Sequence, residues 1–370
     1  MGSVPQSDSS RRFGVCVFAG VEEHPLAEAL PYLDAALLRG ATLVMTSLHL
    51  PEMDLRRAAD ECRQIAERTR AANAMFLADV SPRALDMLGA TPADLSTLAS
   101  MGLDGVRPDY GFSPADLAAI ALGRQLALVL NATDTEERVL ATLADRGCAL
   151  AGTWAFHNYY PRPETGIDLA TVIQRGAVLR RHGLQIAAFA ASHGRRRGPV
   201  FGGLPSVEDL REIPCAAAAE VLFATHAVDA VLLGDPSLDI AETDRLASVS
   251  EREVVQIRAE RDGTASRQEQ EVMEAVHRCW SVAPYLVRTG NPAARSPAPA
   301  IPRRNTVDRP AYSITIDNDQ YSRFAGTLHV TRRALPADDR VNRVGRVRPA
   351  DRILVDLLQP GDRFQFVWMG

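Results

Sequence analysis

The sequence predicts an α/β protein: a (β/α)8 TIM barrel followed by a smaller β-rich domain. Short apolar runs alternate with segments of helical spacing through the first two thirds of the 370-residue chain. The residues that directly follow those runs are mostly polar, which is typical of a barrel whose chemistry collects at one rim. An open doubly wound sheet is the alternative, but the segment 18–22 lacks the G-x-G-x-x-G pattern of dinucleotide-binding folds.

Apolar runs supply the predicted strands of the barrel. Each run is short, and a helical segment separates it from the next, as parallel strands joined by crossover helices require. The predicted strands are residues 13–18, 42–47, 74–79, 105–107, 127–131, 150–156, 185–190 and 229–233. They make eight units, the number that closes a TIM barrel.

The pattern changes after the last of these units. Residues 245–261 predict a charged helix that passes into a strand, and residues 289–304 are rich in proline and alanine. From residue 312 onward, strand-like and turn-like segments alternate. The predicted organisation is a disordered leader at 1–12, the barrel at 13–245, a connecting segment with the start of the second domain at 246–304, and the remainder of that domain at 305–370.

Composition favours a small molecule as the partner. The net charge of −5 argues against a nucleic-acid surface, and no apolar stretch approaches the roughly 18 residues that span a membrane. The 41 basic residues are all arginine, so any phosphate must be held by arginine or by backbone amides. The 5 cysteines are scattered and lack CxxC spacing, which fits a reduced cytoplasm. We expect no cofactor, and a homodimer is compatible with the chain.

Polar side chains follow nearly every predicted strand and define one rim of the barrel. Four of them are candidate catalytic carboxyls: Asp109, Asp79, Asp235 and Glu164. A glycosidase needs two such groups, about 5 Å apart for retention or roughly 6.5–9.5 Å apart for inversion, unless a substrate acetamido group acts as the nucleophile. The structural alternatives are a helix cap for Asp79 and Asp235, an ion pair with Arg107 for Asp109, and a turn for Glu164.

Other rim residues suit a polar, anionic sugar. Imidazole, amide and guanidinium groups can hold hydroxyl, acetamido and acidic groups, and tyrosine rings can support a pyranose. The candidates in the barrel are His49, Arg107, Tyr110, Asn131, His157, Asn158, Tyr159, Arg162 and Arg197, and those in the second domain are Asp317, Asn318, Tyr321 and Arg323. The second-domain segment has a turn held by Asx bonds as its alternative. No metal site is predicted, because the histidines show neither HxH nor HExxH spacing.

Motifs spread along the chain resemble the MupG-type 6-phospho-N-acetylmuramidase family. They are TSLHLPE at 46–52, RPDYGFS at 107–113, NATDT at 131–135, HNYYPRPETG at 157–166, RGPVFGGLPSVE at 197–208, LGDP at 233–236, ITIDNDQYSRFAG at 314–326 and RVNRVG at 340–345. The resemblance implies a TIM barrel followed by a cyclophilin-like β-barrel domain. It also implies cytosolic hydrolysis of the bond between 6-phospho-N-acetylmuramic acid and N-acetylglucosamine during recycling of cell-wall sugars.

The sequence also departs from the family pattern. Gly202 stands where the family has glutamate before GLP, Pro108 replaces a leucine, and residues 277–282 lack the acid of a His-x-x-Arg-x-Asp stretch. The main hypothesis is a glycosidase that acts on a small anionic amino sugar. One alternative is a lyase, isomerase or cyclase recruited to a biosynthetic pathway, and another is a non-catalytic sugar-binding protein.

Overall fold

The computed structural model describes residues 11–51, 53–263, 265–290 and 300–369. They form two compact units, with the division between Glu251 and Arg252. Most of the predicted leader and residues 291–299 of the predicted connecting segment lie outside the described residues. The helix that precedes the division ends at Glu251, and the second unit's first strand starts at Val254.

Parallel strands form the barrel of the first unit, in the spatial order β5-β4-β3-β2-β1-β9-β8-β7-β6. Their bounds are β1 Arg12–Cys16, β2 Leu43–Ser47, β3 Met75–Val80, β4 Gly105–Pro108, β5 Ala127–Leu128, β6 Leu130–Asn131, β7 Trp154–Phe156, β8 Gln185–Ala190 and β9 Ala230–Leu233.

The two edges of this sheet are two halves of one chain segment. β5 pairs with β4, β6 pairs with β7, and only Val129 separates them. The amide of Val129 donates to the carbonyl oxygen of Val106 at 2.9 Å, so the ladder continues through the break. β5 and β6 together therefore act as the fifth strand of a closed barrel. The predicted TIM barrel of eight units is confirmed.

One predicted strand is too long. The run 150–156 was expected to be extended throughout, but only β7 at its C-terminal end is a strand. Residues before β7 form a turn in which Gly152 has a φ of +81° and the amide of Thr153 donates to the Leu150 carbonyl at 3.0 Å. Ala151 and Gly152 are exposed in this turn, so the small apolar residues that made the run look continuous do not pair as a strand.

Helices follow the strands and cover the barrel. They are α1 Leu26–Leu38, α2 Leu55–Ala71, α3 Pro82–Met87, α4 Ser96–Ser100, α5 Pro114–Gly123, α6 Glu137–Asp145, α7 Leu169–Arg181, α8 Cys215–Ala224 and α9 Ile240–Glu251. Ser113 forms a capping box with Asp116 at the start of α5, which fixes where the loop after β4 ends. None of the helices in the described residues is long and apolar enough to cross a membrane.

The second unit is a closed barrel in the order β10-β15-β13-β14-β12-β11-β16. Its elements are β10 Val254–Arg261, α10 Arg267–Met273, β11 His277–Val282, β12 Leu286–Thr289, β13 Ser313–Asp317, β14 Leu328–Thr331, β15 Val341–Val347, α11 Arg352–Leu357 and β16 Arg363–Met369. The strands pair antiparallel except where β10 meets β16. A TIM barrel followed by a small β barrel, the predicted fold class, is confirmed.

Large apolar side chains fill the interior of the first barrel, including Phe18, Met45 and Phe189. The interior is therefore a packed core and not a channel. Polar groups are consequently confined to the strand ends, where the loops carry the candidate site.

Candidate active site

A buried ion pair joins the ends of two neighbouring strands. Asp79 on β3 is directly opposite Arg107 on β4, and the strand register sets them at the same height in the barrel. The Arg107 Nη1 donates to the Asp79 Oδ1 at 2.5 Å, and the two side chains are 2% and 1% exposed. Burial raises the pKa of the Asp79 carboxyl, against the opposing effect of the Arg107 guanidinium. The environment thus favours a protonated Asp79 more than water does.

A second carboxyl faces the same guanidinium. Asp109 follows β4, and its Oδ1 is 3.9 Å from the Arg107 Nη2. Its Oδ2 is 3.4 Å from the His49 Nε2, while the Nδ1 of His49 is 3.3 Å from the Ser47 hydroxyl. Asp109 is 27% exposed. It is therefore the more accessible carboxyl of the pair, and Arg107 couples the two electrostatically.

Arg197 brings a second buried guanidinium to this rim. It is 8% exposed, and its charged carbon lies 5.0 Å from the centre of the Phe18 ring and 5.5 Å from that of Tyr159. Its Nη1 is 3.5 Å from the Tyr159 hydroxyl. Across the described ranges, no carboxylate comes within 4.0 Å of this guanidinium. The stacked rings hold the guanidinium in place.

The neighbours of Arg197 behave differently. Arg195 pairs with Glu28 at 2.6 Å, and Arg196 pairs with Glu212 at 3.0 Å. The basic run 195–197 contains one predicted site residue, Arg197. Two of its three side chains form ion pairs, and only Arg197 enters the candidate site.

These groups line one pocket of about 280 Å³. Tyr159 contributes a phenol whose pKa burial raises to about 12, so its hydroxyl keeps its proton and can donate a hydrogen bond. The lining residues are His49, Leu50, Asp79, Arg107, Asp109, Asn158, Tyr159, Tyr160, Pro161 and Arg197. Two carboxyls, two guanidiniums and two tyrosines in one concave site suit a polar, anionic ligand.

Amides organise the wall next to the ion pair. The Asn158 Oδ1 accepts from the Arg107 Nη2 and, at 3.0 Å, from the Asn131 Nδ2. Both amide groups also donate to the Oδ2 of Asp134 at 3.0 Å. Asn158 lines the pocket, whereas Asn131 is not one of its lining residues and holds the Asn158 amide.

His157 is placed away from the pocket. It is fully buried, and its Nδ1 is 3.1 Å from the Thr133 hydroxyl. Burial, reinforced by the charges of Arg175 and Arg107, lowers the pKa of His157 to about 3. The ring is therefore neutral, and the geometry favours a packing role over direct contact with a ligand.

Asp235 holds backbone and does not line the pocket. Its carboxylate accepts from the amides of Ser192, Leu204 and Arg197 at 3.0, 3.0 and 3.1 Å, and the residue is fully buried. Burial raises the pKa of this carboxyl, although the three amides oppose that shift. The arrangement favours the structural alternative, in which Asp235 fixes the loop that carries Arg197.

The loop 157–166 is fastened by an ion pair that sequence reasoning missed. The Glu208 carboxylate accepts the amides of Glu164 and Gly166 at 2.8 and 2.7 Å, and it pairs with Arg211 at 2.6 Å. Arg211 in turn donates to the carbonyls of Tyr160, Gly202 and Gly203 at 2.9, 3.2 and 3.0 Å. The motif SVEDLRE contains both residues. Their partners are backbone atoms, which every residue type has, so the sequence shows no pattern that predicts these contacts.

Three predicted residues of the rim loops are exposed. Glu164 has a φ of +69° in a turn, and Arg162 donates to the neighbouring Pro163 carbonyl at 3.1 Å. Neither lines the pocket, which favours the turn as the role of Glu164. Tyr110 is 62% exposed and meets the His49 ring edge to face, with 6.0 Å between centres.

The departure at Gly202 fits its surroundings. A Cβ at this position would be 3.1 Å from both the Pro161 carbonyl oxygen and the Pro163 Cγ. Such contacts are tight, so a side chain here requires the proline loop to shift. The present packing of the two rim loops therefore suits glycine.

The second-unit candidates lie in one segment of the small barrel. Asp317 is 3.2 Å from His329 Nε2, and the buried Asn318 amide donates to the Asp339 carbonyl and to Asn342, each at 2.9 Å. Asn318 also caps the helical turn Asp319–Phe324 by accepting the Gln320 amide at 3.0 Å, which is the Asx arrangement considered as the alternative. The side chains of Tyr321 and Arg323 lie against Arg340 and Phe324, respectively, and their role in binding a ligand stays a prediction.

No group of three His, Cys, Asp or Glu side chains in the described residues is placed to hold a metal ion. The rim itself carries a coupled pair of carboxyls, tyrosines and the buried Arg197, which has no carboxylate within 4.0 Å among the described residues. A TIM barrel with such a rim pocket is typical of enzymes that act on small polar molecules.

Family comparisons define the class further. A family model described as "6-phospho-N-acetylmuramidase, N-terminal" matches residues 13–248, and its C-terminal counterpart matches residues 255–367. The chain belongs to the 6-phospho-N-acetylmuramidase family, a family of glycosidases. The comparison with curated proteins gave no match.

Solved structures of two bacterial proteins are similar over nearly the whole chain. An uncharacterized B. cereus protein has a TM-score of 0.82 and 23% identity, with 97% of this chain and 99% of that chain covered. A conserved Enterococcus faecalis protein with an unknown function has a TM-score of 0.69 and 28% identity, with 97% of each chain covered. Both therefore share the two-barrel fold.

Proposed function

We propose that the protein hydrolyses the glycosidic bond of 6-phospho-N-acetylmuramyl saccharides, the disaccharide with N-acetylglucosamine being the expected substrate. One observation carries this proposal: Asp79 and Asp109 share the Arg107 guanidinium in a pocket that also contains the unpaired Arg197. Hydrolysis of a glycoside needs a proton donor and a second carboxyl or a group of the substrate, and an anionic sugar needs a cation. Family membership supports the same chemistry.

In this proposal the two carboxyls have different tasks. Burial raises the pKa of the Asp79 carboxyl, which is the direction that a general acid requires. Asp109 is more exposed and lies between Arg107 and His49. We assign it the carboxylate role: it accepts the proton of the attacking water, or it orients the substrate acetamido group if that group attacks.

Arg197 is proposed to bind the acidic group of the sugar. Its charge is held between two aromatic rings and has no carboxylate partner in the described part of the chain, so an incoming phosphate or carboxylate meets no competing ion pair. Asn158, Tyr159 and Tyr160 supply hydrogen bonds and ring surface around it. We propose a structural role for Asp235, Glu164 and His157.

The reaction is proposed to take place in the cytoplasm, where it would serve the recycling of cell-wall sugars. The support is that Cys16, Cys62, Cys148, Cys215 and Cys279 are all unpaired thiols, as a reducing compartment favours.

The direct test is to incubate the protein with 6-phospho-N-acetylmuramyl-N-acetylglucosamine and to separate the products by mass spectrometry. We expect equimolar release of the two sugars, and much slower release from the disaccharide without phosphate. Intact substrate after prolonged incubation at high enzyme concentration would contradict the proposal. Protein carrying Asp109→Asn, purified in parallel, controls for a contaminating hydrolase.

A further inference from the structure

Phe201 has an unusual backbone conformation beside the pocket. Its φ is +53°, a left-handed value that bulky residues rarely adopt. Its amide donates to the Arg197 carbonyl at 3.2 Å, which closes a tight turn across residues 197–201. A glycine would satisfy this turn without strain, and glycines do occupy the next two positions.

Packing gives no reason for phenylalanine at this position. The residue is 54% exposed, and no ring contact involves it among the residues that the structure describes. An exposed aromatic ring on a strained backbone is unfavourable both for solvation and for conformation. Such outliers concentrate at functional sites, where binding compensates for them.

Phe201 lies in a turn that adjoins the pocket. Arg197, at the start of the turn, lines the pocket, and Gly202, directly after Phe201, packs against Pro161 of the opposite loop. Pro161 is itself a lining residue. The turn that carries the exposed ring therefore contacts the pocket wall at both of its ends, and Phe201 is not itself a lining residue.

The pocket is at the small end of the range of ligand sites. Its volume of about 280 Å³ falls just below the roughly 300–1,000 Å³ of sites that enclose drug-sized ligands. If the phosphorylated sugar fills it, the sugar on the leaving side of the bond extends past the opening. The carbon-bound hydrogens of a pyranose ring pack well on an aromatic face.

We propose that Phe201 is the platform for the leaving-group sugar, a neutral N-acetylated hexose, and so determines specificity for a disaccharide. This inference rests on the proposed function. The turn fixes the backbone from which the ring projects, so little backbone freedom is lost on binding.

The test compares two substrates that share the phosphorylated sugar. One is the disaccharide, and the other is 6-phospho-N-acetylmuramyl fluoride, whose leaving group has no ring. We expect Phe201→Ala to lower kcat/KM for the disaccharide about tenfold, mainly through KM, and to leave the fluoride reaction unchanged. Phe201→Trp should restore the disaccharide reaction, because it restores the aromatic face. Val200→Ala, which removes a neighbouring side chain that is 48% exposed, is the matched control.

The possible outcomes separate the two proposals. Equal losses on both substrates, or no loss on the disaccharide, would overturn the platform while the hydrolase stands. If wild-type protein hydrolyses neither substrate, the proposed function and the platform fail together. Phe201→Gly should unfold at a temperature no lower than wild type, since glycine accepts the left-handed turn. A large loss of stability in that variant would assign Phe201 a structural role instead.

Discussion

Asp109 combines access to the pocket with contacts to two cationic or ionisable partners, Arg107 and His49. Asp109→Asn preserves the size of the side chain but removes its charge and its ability to take up a proton. We expect kcat to fall at least about 100-fold, the usual scale for a positioned proton-transfer group. Steady-state kinetics on the phosphorylated disaccharide measure this. Asp86→Asn, in an exposed part of α3, is the control, and near-normal activity of Asp109→Asn would remove that residue from the reaction.

Arg197 and Arg196 are adjacent in sequence but differ in their contacts. Arg197→Met removes the unpaired charge of the pocket and keeps an apolar side chain between Phe18 and Tyr159. We expect kcat/KM for the phosphorylated disaccharide to fall about 10–100-fold, with a much smaller change for the unphosphorylated one. Arg196→Met removes the ion pair with Glu212 and a hydrogen bond to the Ser192 carbonyl, neither of which involves a lining residue of the pocket, and is the matched control. Equal losses on both substrates would show that Arg197 does not recognise the acidic group.

At the scale of elements, the strand ends were the predictable part of the site. Asp79, Arg107 and Asp109 could be placed together because parallel strands of one barrel bring their C-terminal ends to one rim. His157 shows the limit of that argument. It follows a strand as the others do, but Phe156 points into the barrel core and His157 is buried outside the pocket. Position after a strand does not specify the side to which a residue turns.

Loops between elements were less predictable for a related reason. Arg197 was one of three consecutive arginines, and nothing in their sequence distinguishes the buried one from its ion-paired neighbours. Arg211 and Glu208 could not be found at all, because they bind backbone atoms of two loops that are distant in sequence. Only the folded barrel brings those atoms together.

The Glu208–Arg211 ion pair should make the free energy of unfolding depend on pH in the acidic range. The hydrogen bonds from Arg211, Glu164 and Gly166 lower the pKa of Glu208 to about 2, from an ordinary 4.5. A carboxyl with a lowered folded-state pKa stabilises the fold above the unfolded-state pKa, and that stability is lost as the pH falls from about 4.5 towards 2. Glu208→Gln should therefore cost about 2 kcal/mol at pH 7 and progressively less at lower pH.

Urea unfolding of wild type and variant at pH 7 and pH 3.5 measures that difference. Glu212→Gln is the matched control, because Glu212 also pairs with an arginine but is 70% exposed. Exposed pairs contribute little, so this control should change the stability by less than about 1 kcal/mol. A Glu208→Gln deficit that is the same at both pH values would show that the carboxylate charge is not what fastens the loops.

On the scale of the whole molecule, the chain folds into two barrels that each have a hydrophobic interior. The first is filled by residues such as Phe156 and Leu232, and the second by residues such as Ile314, Val330 and Phe364. Each contains buried cysteine: Cys16, Cys62, Cys148 and Cys215 in the first and Cys279 in the second. Burial raises the pKa of every one of these thiols, to about 12 for Cys62 and about 11 for Cys279. In the folded state they are therefore protected from thiolate chemistry.

This distribution allows each barrel to be followed separately. In native buffer at pH 8 we expect negligible alkylation of Cys279 and Cys62 within minutes, and labelling of each as its own barrel opens in urea.

Asp351 is buried and accepts hydrogen bonds from both the amide and the guanidinium of Arg258, at 2.7 and 3.0 Å, so Asp351→Asn should destabilise the second barrel by about 2 kcal/mol. Labelling of Cys279, read by peptide mass spectrometry, should then begin at lower urea while that of Cys62 is unchanged. Glu253→Gln, which alters a side chain that is 86% exposed, should change neither midpoint. A parallel shift of both cysteines in Asp351→Asn would mean that the two barrels unfold as one cooperative unit.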